Sequence, residues 1–224
     1  MTADLIISYD GTPNDDDALA LGKLLAETGS SVALAYVRHS REFDPKREEL
    51  AQYDAEQRLA HGEDLIGIPV TKHVVVGAAT GEVLGALASQ QGASIIVFGS
   101  DYRTPLGRAE PGTSAQRLID GGPVAIAVAA AGLRAKQDSA IRKIAVPFAG
   151  PVNDDARATA ASLAAALGAE VVADAHAEGL DLIVVGSHEG APTGRVVVAG
   201  EVRNELNSAR SSVLVLPAET RIDF

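Results

Sequence analysis

One pattern occurs twice in this chain. Residues 5–20, LIISYDGTPNDDDALA, parallel residues 143–158, KIAVPFAGPVNDDARA, and Asn14-Asp15-Asp16 matches Asn153-Asp154-Asp155 at an offset of 139. Gly29 and Gly168 keep that offset, as do Val32 and Val171. Further along, GSDYRTPLGRAEPGT (99–113) follows the apolar run SIIVFG, and GSHEGAPTGRVVVAGE follows DLIVV from Gly186, now at an offset of 87. The 52 residues between the two offsets are what the second copy lacks: a helix, a strand and nearly all of a further helix. Self-similarity of this kind commits the chain to one supersecondary unit used twice. Residues 1–131 form the complete copy and 140–224 a truncated one, with the polar GLRAKQDS (132–139) as linker.

Within the first copy, short apolar runs alternate with helical segments. The strands are LIISY (5–9), SVALAYV (31–37), 70–76, SIIVFG (94–99) and PVAIAVA (123–129). Between them, Thr12-Pro13 and the acids after it open one helix, 45–65 is charged and helical, and Thr80 and Thr113 begin two more. Five strands with intervening helices predict an α/β fold: a doubly wound, parallel five-stranded sheet of Rossmann-like type, here duplicated with the second copy cut short.

Composition agrees. Hydrophobic residues make up 46% of the 224 and aromatic residues only 4%, as expected for parallel strands covered by Ala-rich helices. The net charge of -11 repels phosphodiester backbones and anionic lipid, which argues against nucleic acid and membrane partners. Cysteine is absent, so disulfides, thiolate metal sites and cysteine nucleophiles are excluded. With no signal-peptide pattern and no apolar run near the ~20 residues that span a bilayer, a cytoplasmic protein is expected.

A glycine loop that leaves a buried strand and ends at a helix N-terminus puts free N–H groups where an anion can sit. The loops and the repeat together resemble the universal stress protein family in its tandem form. The ATP-binding members of that family carry G-x2-G-x9-G-[ST] after the fourth strand and an Asp at the end of the first. Gly99 and Gly112-Thr113 take the outer positions, and Tyr102 stands in place of the middle glycine. Asp10 matches the Asp that contacts adenine, and Val37 matches a position whose backbone faces the base. The second copy has Ala149 in place of the Asp and Glu201 in place of the Ser/Thr, so it is not expected to hold a nucleotide. The resemblance implies the fold of the adenine nucleotide alpha hydrolases and a site for ATP, with Mg2+ accompanying the phosphates. That site would comprise Asp10, Gly11, Val37, Gly99, Ser100, Tyr102, Gly112, Thr113 and Ser114.

Each residue also has a plainer reading. Asp10-Gly11 is a common turn pair, and Thr113-Ser114 read as an ordinary Thr/Ser N-cap. The ring of Tyr102 either points outward or narrows the pocket. Arg103 and Arg108 are candidate phosphate-binding cations on a loop made stiff and acidic by Pro105, Pro111 and Glu110. Asp15-Asp16-Asp17 lacks the alternating spacing of a calcium loop and suits the first turn of a helix. His39, His61, His73, His176 and His188 form no ligand pair, and no nucleophile elbow or P-loop is present, so no catalytic residue or metal ligand is assigned.

The leading expectation is a non-catalytic protein that binds an adenine nucleotide in its first copy and acts through assembly or partner contacts. The alternative is an interaction module that has lost the nucleotide. Family members commonly dimerise through their last strands, so PVAIAVA and SVLVLP are expected to pair within this chain. The elements missing from the second copy are expected to leave apolar sheet uncovered, which a second chain would bury in a homodimer.

Overall fold

All nine strands among the described residues join one sheet in the order β3-β2-β1-β4-β5-β9-β8-β6-β7. The computed structural model describes residues 4–147, 153–198 and 200–224, with the side chains of Glu201, Glu205 and Asn207 excepted. The first part of the chain runs β1 (Leu5–Ser8), α1 (Pro13–Ala26), β2 (Val32–Arg38), α2 (Pro45–Ile66), β3 (Thr71–Val76), α3 (Thr80–Gln91), β4 (Ile95–Phe98), α4 (Thr113–Ile119) and β5 (Ala125–Val128). After a short 3-10 turn (Leu133–Ala135) follow β6 (Lys143–Ala145), α5 (Asp154–Leu167), β7 (Glu170–Val172), β8 (Leu182–Val185), α6 (Gly200–Ser208) and β9 (Ser212–Val215). Every pairing is parallel except β5–β9, which is antiparallel, with Ile126 opposite Val215 and Val128 opposite Val213. The pairing expected between the last strands is therefore present, and it merges the expected pair of sheets into a single sheet.

Both faces of the sheet are covered. Helices α1, α2 and α5 pack on one face through Leu21, Leu25, Leu59 and Leu163, and α3, α4 and α6 on the other through Leu84, Leu118 and Leu206. The central strands β4, β5, β8 and β9 read as continuous apolar runs because each is buried on both sides.

The connection from β7 to β8 carries no helix, and here the sequence led us to expect uncovered sheet. The expected consequence fails, however. Ala145, Ile183 and Val185 are fully buried, because the connecting segment lays Ala175 and Leu180 over the face that a helix would cover. Only Val171, on the edge strand, is an exposed large apolar residue here, at 42%. The uncovered surface on which the homodimer expectation rested is absent from the described residues.

The linker is also fastened more tightly than its polar sequence implies. Asp17, 1% exposed on α1, accepts hydrogen bonds from the backbone N–H groups of Gly132 and Arg134 at 2.8 Å each, and from Arg134 Nη1 at 2.8 Å. Its neighbour Asp16 makes no such set. Desolvation raises its pKa, Arg134 lowers it, Asp15 raises it again, and the net direction is upward. The ionised form of Asp16 is thus disfavoured in the folded chain. Asp17→Ala is expected to cost about 2–4 kcal/mol, since it removes a buried carboxylate that holds two part-buried N–H donors and a guanidinium. Asp16→Asn is expected to be neutral or stabilising at neutral pH, and the gain vanishes in acid, where the native carboxyl is protonated anyway. Urea unfolding of both variants at pH 7 and in acid checks the contrast.

Candidate functional site

Strand β1 lies between β2 and β4, so the chain winds outward in both directions from the β1–β4 pair. Ligand crevices of doubly wound sheets open at the carboxyl ends of the strands at such a reversal. The segments following β1 and β4 meet there, and they hold the residues singled out from sequence.

Asp10 leaves the end of β1 before Gly11, whose φ of +82° requires a residue without a Cβ. The Asp10 side chain reaches solvent and has no hydrogen-bond partner among the described residues. Desolvation by the surrounding rim and the nearby Asp15 raise its pKa, and His39 and Arg58 pull the other way. Arg58 Nη1 donates to the Asp10 carbonyl at 3.0 Å. Val37 is buried on the adjoining β2. The carbonyl of Ala35 accepts from Tyr9 N–H at 2.9 Å, so Val37, two residues on, turns its backbone polar groups to the same side, past the last paired residue of β1.

The glycine loop has a different character from the open cradle expected. Ser100 is buried, and its hydroxyl donates to the Ala129 carbonyl at 2.6 Å and accepts from Glu110 N–H at 3.2 Å. Asp101 N–H donates to the Glu110 carbonyl at 2.8 Å, Gly107 N–H to Ala131 at 2.8 Å, and Arg108 N–H to Pro105 at 3.1 Å. The Ser100 hydroxyl and most of the N–H groups around it are therefore engaged within the protein, where they close the loop on itself. Gly99 serves helix packing: a Cβ there would lie 2.0 Å from the Asn14 carbonyl oxygen on α1.

Tyr102 points outward at 73% exposure. Its hydroxyl accepts from Arg103 Nε at 2.7 Å, and the guanidinium sits 4.8 Å from the ring centroid. Of the two readings the outward one describes the ring, and Arg103 is engaged by it. Arg108 lines a separate hollow together with His176 and Arg210.

The opening of α4 corrects another expectation. Gly112 is the N-cap and Thr113 the first helical residue, and no side chain caps the end. The first-turn N–H groups of Thr113 and Ser114 thus have no side-chain partner. Space is open around Gly112, where a Cβ would come no nearer than 4.0 Å to Asp101 Cα.

Sequence reasoning missed three residues that build this region. Asp15 Oδ2 gathers Asp10 N–H (3.1 Å), Thr12 N–H (2.9 Å) and the Thr12 hydroxyl (2.7 Å), which fixes the β1–α1 turn. Asn14 Nδ2 donates to the Ser100 carbonyl at 2.9 Å and ties α1 to the glycine loop. Tyr9 is fully buried with its hydroxyl unpartnered, and burial, with Asp16 and Asp15 adding to it, pushes its pKa up to about 12. The recurrence of Asn14 as Asn153 was the available signal for the second of these.

The loop after β8 repeats the first loop bond for bond, each partner numbered 87 higher. Ser187 Oγ donates to Leu216 O at 2.7 Å, Val197 N–H to Ser187 Oγ at 3.1 Å, and Gly194 N–H to Ala218 O at 2.8 Å. Ala149 lies outside the described residues, as does the side chain of Glu201.

No protein-family model matches the sequence, and no curated protein sequence matches it. Solved structures do. A universal stress protein from Archaeoglobus fulgidus DSM 4304 superimposes with a TM-score of 0.68 over 97% of this chain and 99% of its own, at 15% identity. A protein of unknown function from Pseudomonas aeruginosa PAO1 gives 0.63 over 97% and 93%, at 14% identity. A third, from Pseudomonas aeruginosa UCBPP-PA14 and provisionally assigned to the universal stress proteins, gives 0.61 over 98% and 94%, at 15% identity. The chain has the Rossmann-like fold of the universal stress proteins over 97% of its length, in agreement with the resemblance read from its residues.

The geometry separates two glycines that sequence treats alike. Gly99→Ala is expected to destabilise by at least about 2 kcal/mol, because helix backbone must shift to admit the methyl group. Gly112→Ala, at φ -69° and with open space, is expected to change stability by less than about 0.5 kcal/mol. Thermal melts of the two variants decide this.

Proposed function

We propose that this chain is a non-catalytic, tandem universal stress protein that binds an adenine nucleotide at the β1–β4 crevice of its first copy. The observation that carries the reading is the Asp10 carboxylate: unpartnered at the strand reversal, beside the outward-turned backbone of Val37. A carboxylate there accepts from the amino group of adenine, and backbone groups at Val37 complete an edge for the base. The uncapped first turn of α4 at Gly112, Thr113 and Ser114 is the place for a phosphate.

With so many N–H groups of the 99–113 loop already committed, the base end is the stronger half of this site. The affinity is therefore expected to depend on adenosine more than on the number of phosphates. Among the described residues no group of three or more His, Asp or Glu side chains is arranged to hold a metal ion. Mg2+ would enter only as a companion of ATP. The same reading takes the bond-for-bond recurrence of the two loops as a true duplication, with the second copy kept for its part in the sheet. No helix of the described residues is long and apolar enough to cross a membrane, and a cytoplasmic location belongs to the proposal.

The closed hydrogen bonding of the loop favours a second reading, in which the nucleotide has been lost and the chain acts only through contacts with partners. Calorimetric titration with ATP, AMP and adenosine separates the two. The first reading expects saturable binding of all three within about tenfold of one another, weakened about tenfold or more by Asp10→Ala and unchanged by Tyr102→Ala. No heat from any of the three, together with no nucleotide released on denaturing the purified protein, leaves the second reading standing.

A further inference from the structure

A cleft at the seam between the two parts of the chain has no counterpart in the nucleotide reading. Its inner chamber, about 250 Å³, lies on the α1 face of the sheet, where the end of β5 meets the beginnings of β8 and β9. The walls are apolar: Leu21 and Leu24 from α1, Leu133 and Ile141 from the linker, and Leu180 before β8. An outer hollow of about 680 Å³ shares Lys136, Leu180 and Arg210 with the chamber and adds Arg108 and His176.

Three observations point to one kind of ligand. The first is charge. In a chain of net charge -11, Arg108, Lys136 and Arg210 converge on this mouth. Neither Arg108 nor Arg210 has a side-chain hydrogen bond or ion pair among the described residues. The acid nearest Lys136, Asp181 at 3.7 Å, is already engaged by the backbone N–H groups of Arg142 at 2.9 Å and Lys143 at 3.1 Å. Glu178 is the remaining acid on the walls, so cations outnumber acids there.

The second is Ser211, buried on the chamber wall, whose hydroxyl makes only a long 3.3 Å bond to the adjoining Ser212 carbonyl. The third is Leu106. It is 83% exposed, yet it lies over Gly132 at the chamber mouth, on a loop hooked down by the Gly107 N–H to Ala131 and Ala131 N–H to Arg108 bonds, both 2.8 Å. An apolar side chain left in water at the rim of an apolar chamber is covered when the chamber is filled.

We propose that this cleft binds a small amphipathic anion, a medium-chain alkyl carboxylate of about six to ten carbons. Its apolar body occupies the chamber under Leu106, and its carboxylate lies at the mouth against Arg210 and Lys136, within reach of Ser211. A chamber of this size is larger than the ~150 Å³ that holds a benzene ring and too small for a long fatty chain. A guanidinium without a partner at Arg210, beside an ammonium held only at 3.7 Å by Asp181, selects a carboxylate over an alcohol or an amine. The site joins segments from both parts of the chain, so filling it braces the seam.

Octanoate is the probe. Calorimetry on the full chain is expected to give one saturable site with a dissociation constant on the order of 0.1 mM, and octanoate in excess is expected to raise the melting temperature. Octan-1-ol, octylamine and acetate are each expected to bind at least tenfold more weakly. Arg210→Ala combined with Lys136→Ala alters exposed side chains and is expected to cost tenfold or more in affinity with the fold intact. Ala140→Leu, which intrudes on the chamber, is expected to abolish binding, with circular dichroism confirming the fold. The absence of saturable octanoate binding up to 10 mM overturns the proposal. Equal binding of octan-1-ol, or octanoate binding unchanged in the Arg210/Lys136 variant, also overturns it.

Discussion

Strand β5 meeting β9 in antiparallel register is the constraint on which the rest of this structure depends. Each part of the chain, built on its own, would end in a strand whose N–H and C=O row lay open to water or to another chain. Pairing the two closes both rows at once. It buries Ile126, Ala127, Val128, Val213, Leu214 and Val215 almost completely and joins the strands of the second part to the sheet of the first. The Ser212 hydroxyl then accepts from Ala130 N–H at 3.1 Å, and Arg203 reaches Asp120 at 2.6 Å, so polar groups fasten the seam at its ends.

The seam also explains how the second part is covered with two helices where the first part has four. Among its described residues only the outer strand β7 is short of cover, and a nine-residue connection that presents Ala175 and Leu180 suffices for the face behind it. A truncated unit standing alone would have little core, since the buried fraction of a small domain falls steeply with size. Joined edge to edge with a complete unit, it shares that unit's core.

Much of this was legible in the residues. The strands of the first part were visible as apolar runs because parallel strands covered on both faces leave no alternation to confuse them. The recurrence of the glycine loops in sequence is matched by recurring hydrogen bonds, Ser100 to Ala129 and Ser187 to Leu216. What sequence did not reveal was the use made of the loop. Gly99 reads as a phosphate-loop glycine, whereas the structure shows it admitting the Asn14 carbonyl. Ser100 reads as a ligand hydroxyl and instead closes the loop on Ala129. Both are contacts between segments far apart in the chain, and no local pattern encodes them. Asp17 was similarly hidden: three consecutive acids look like a helix first turn, and only the fold shows that one of them anchors the linker.

Native-state hydrogen exchange across a series of low denaturant concentrations tests the single-sheet account most directly. The account predicts that the amides of 126–128 in β5 and 213–215 in β9 exchange through one common opening, with the same free energy and the same denaturant dependence, equal to those of global unfolding. Exchange of the β9 amides through a separate, lower-energy opening that leaves β1, β4 and β5 protected would contradict it.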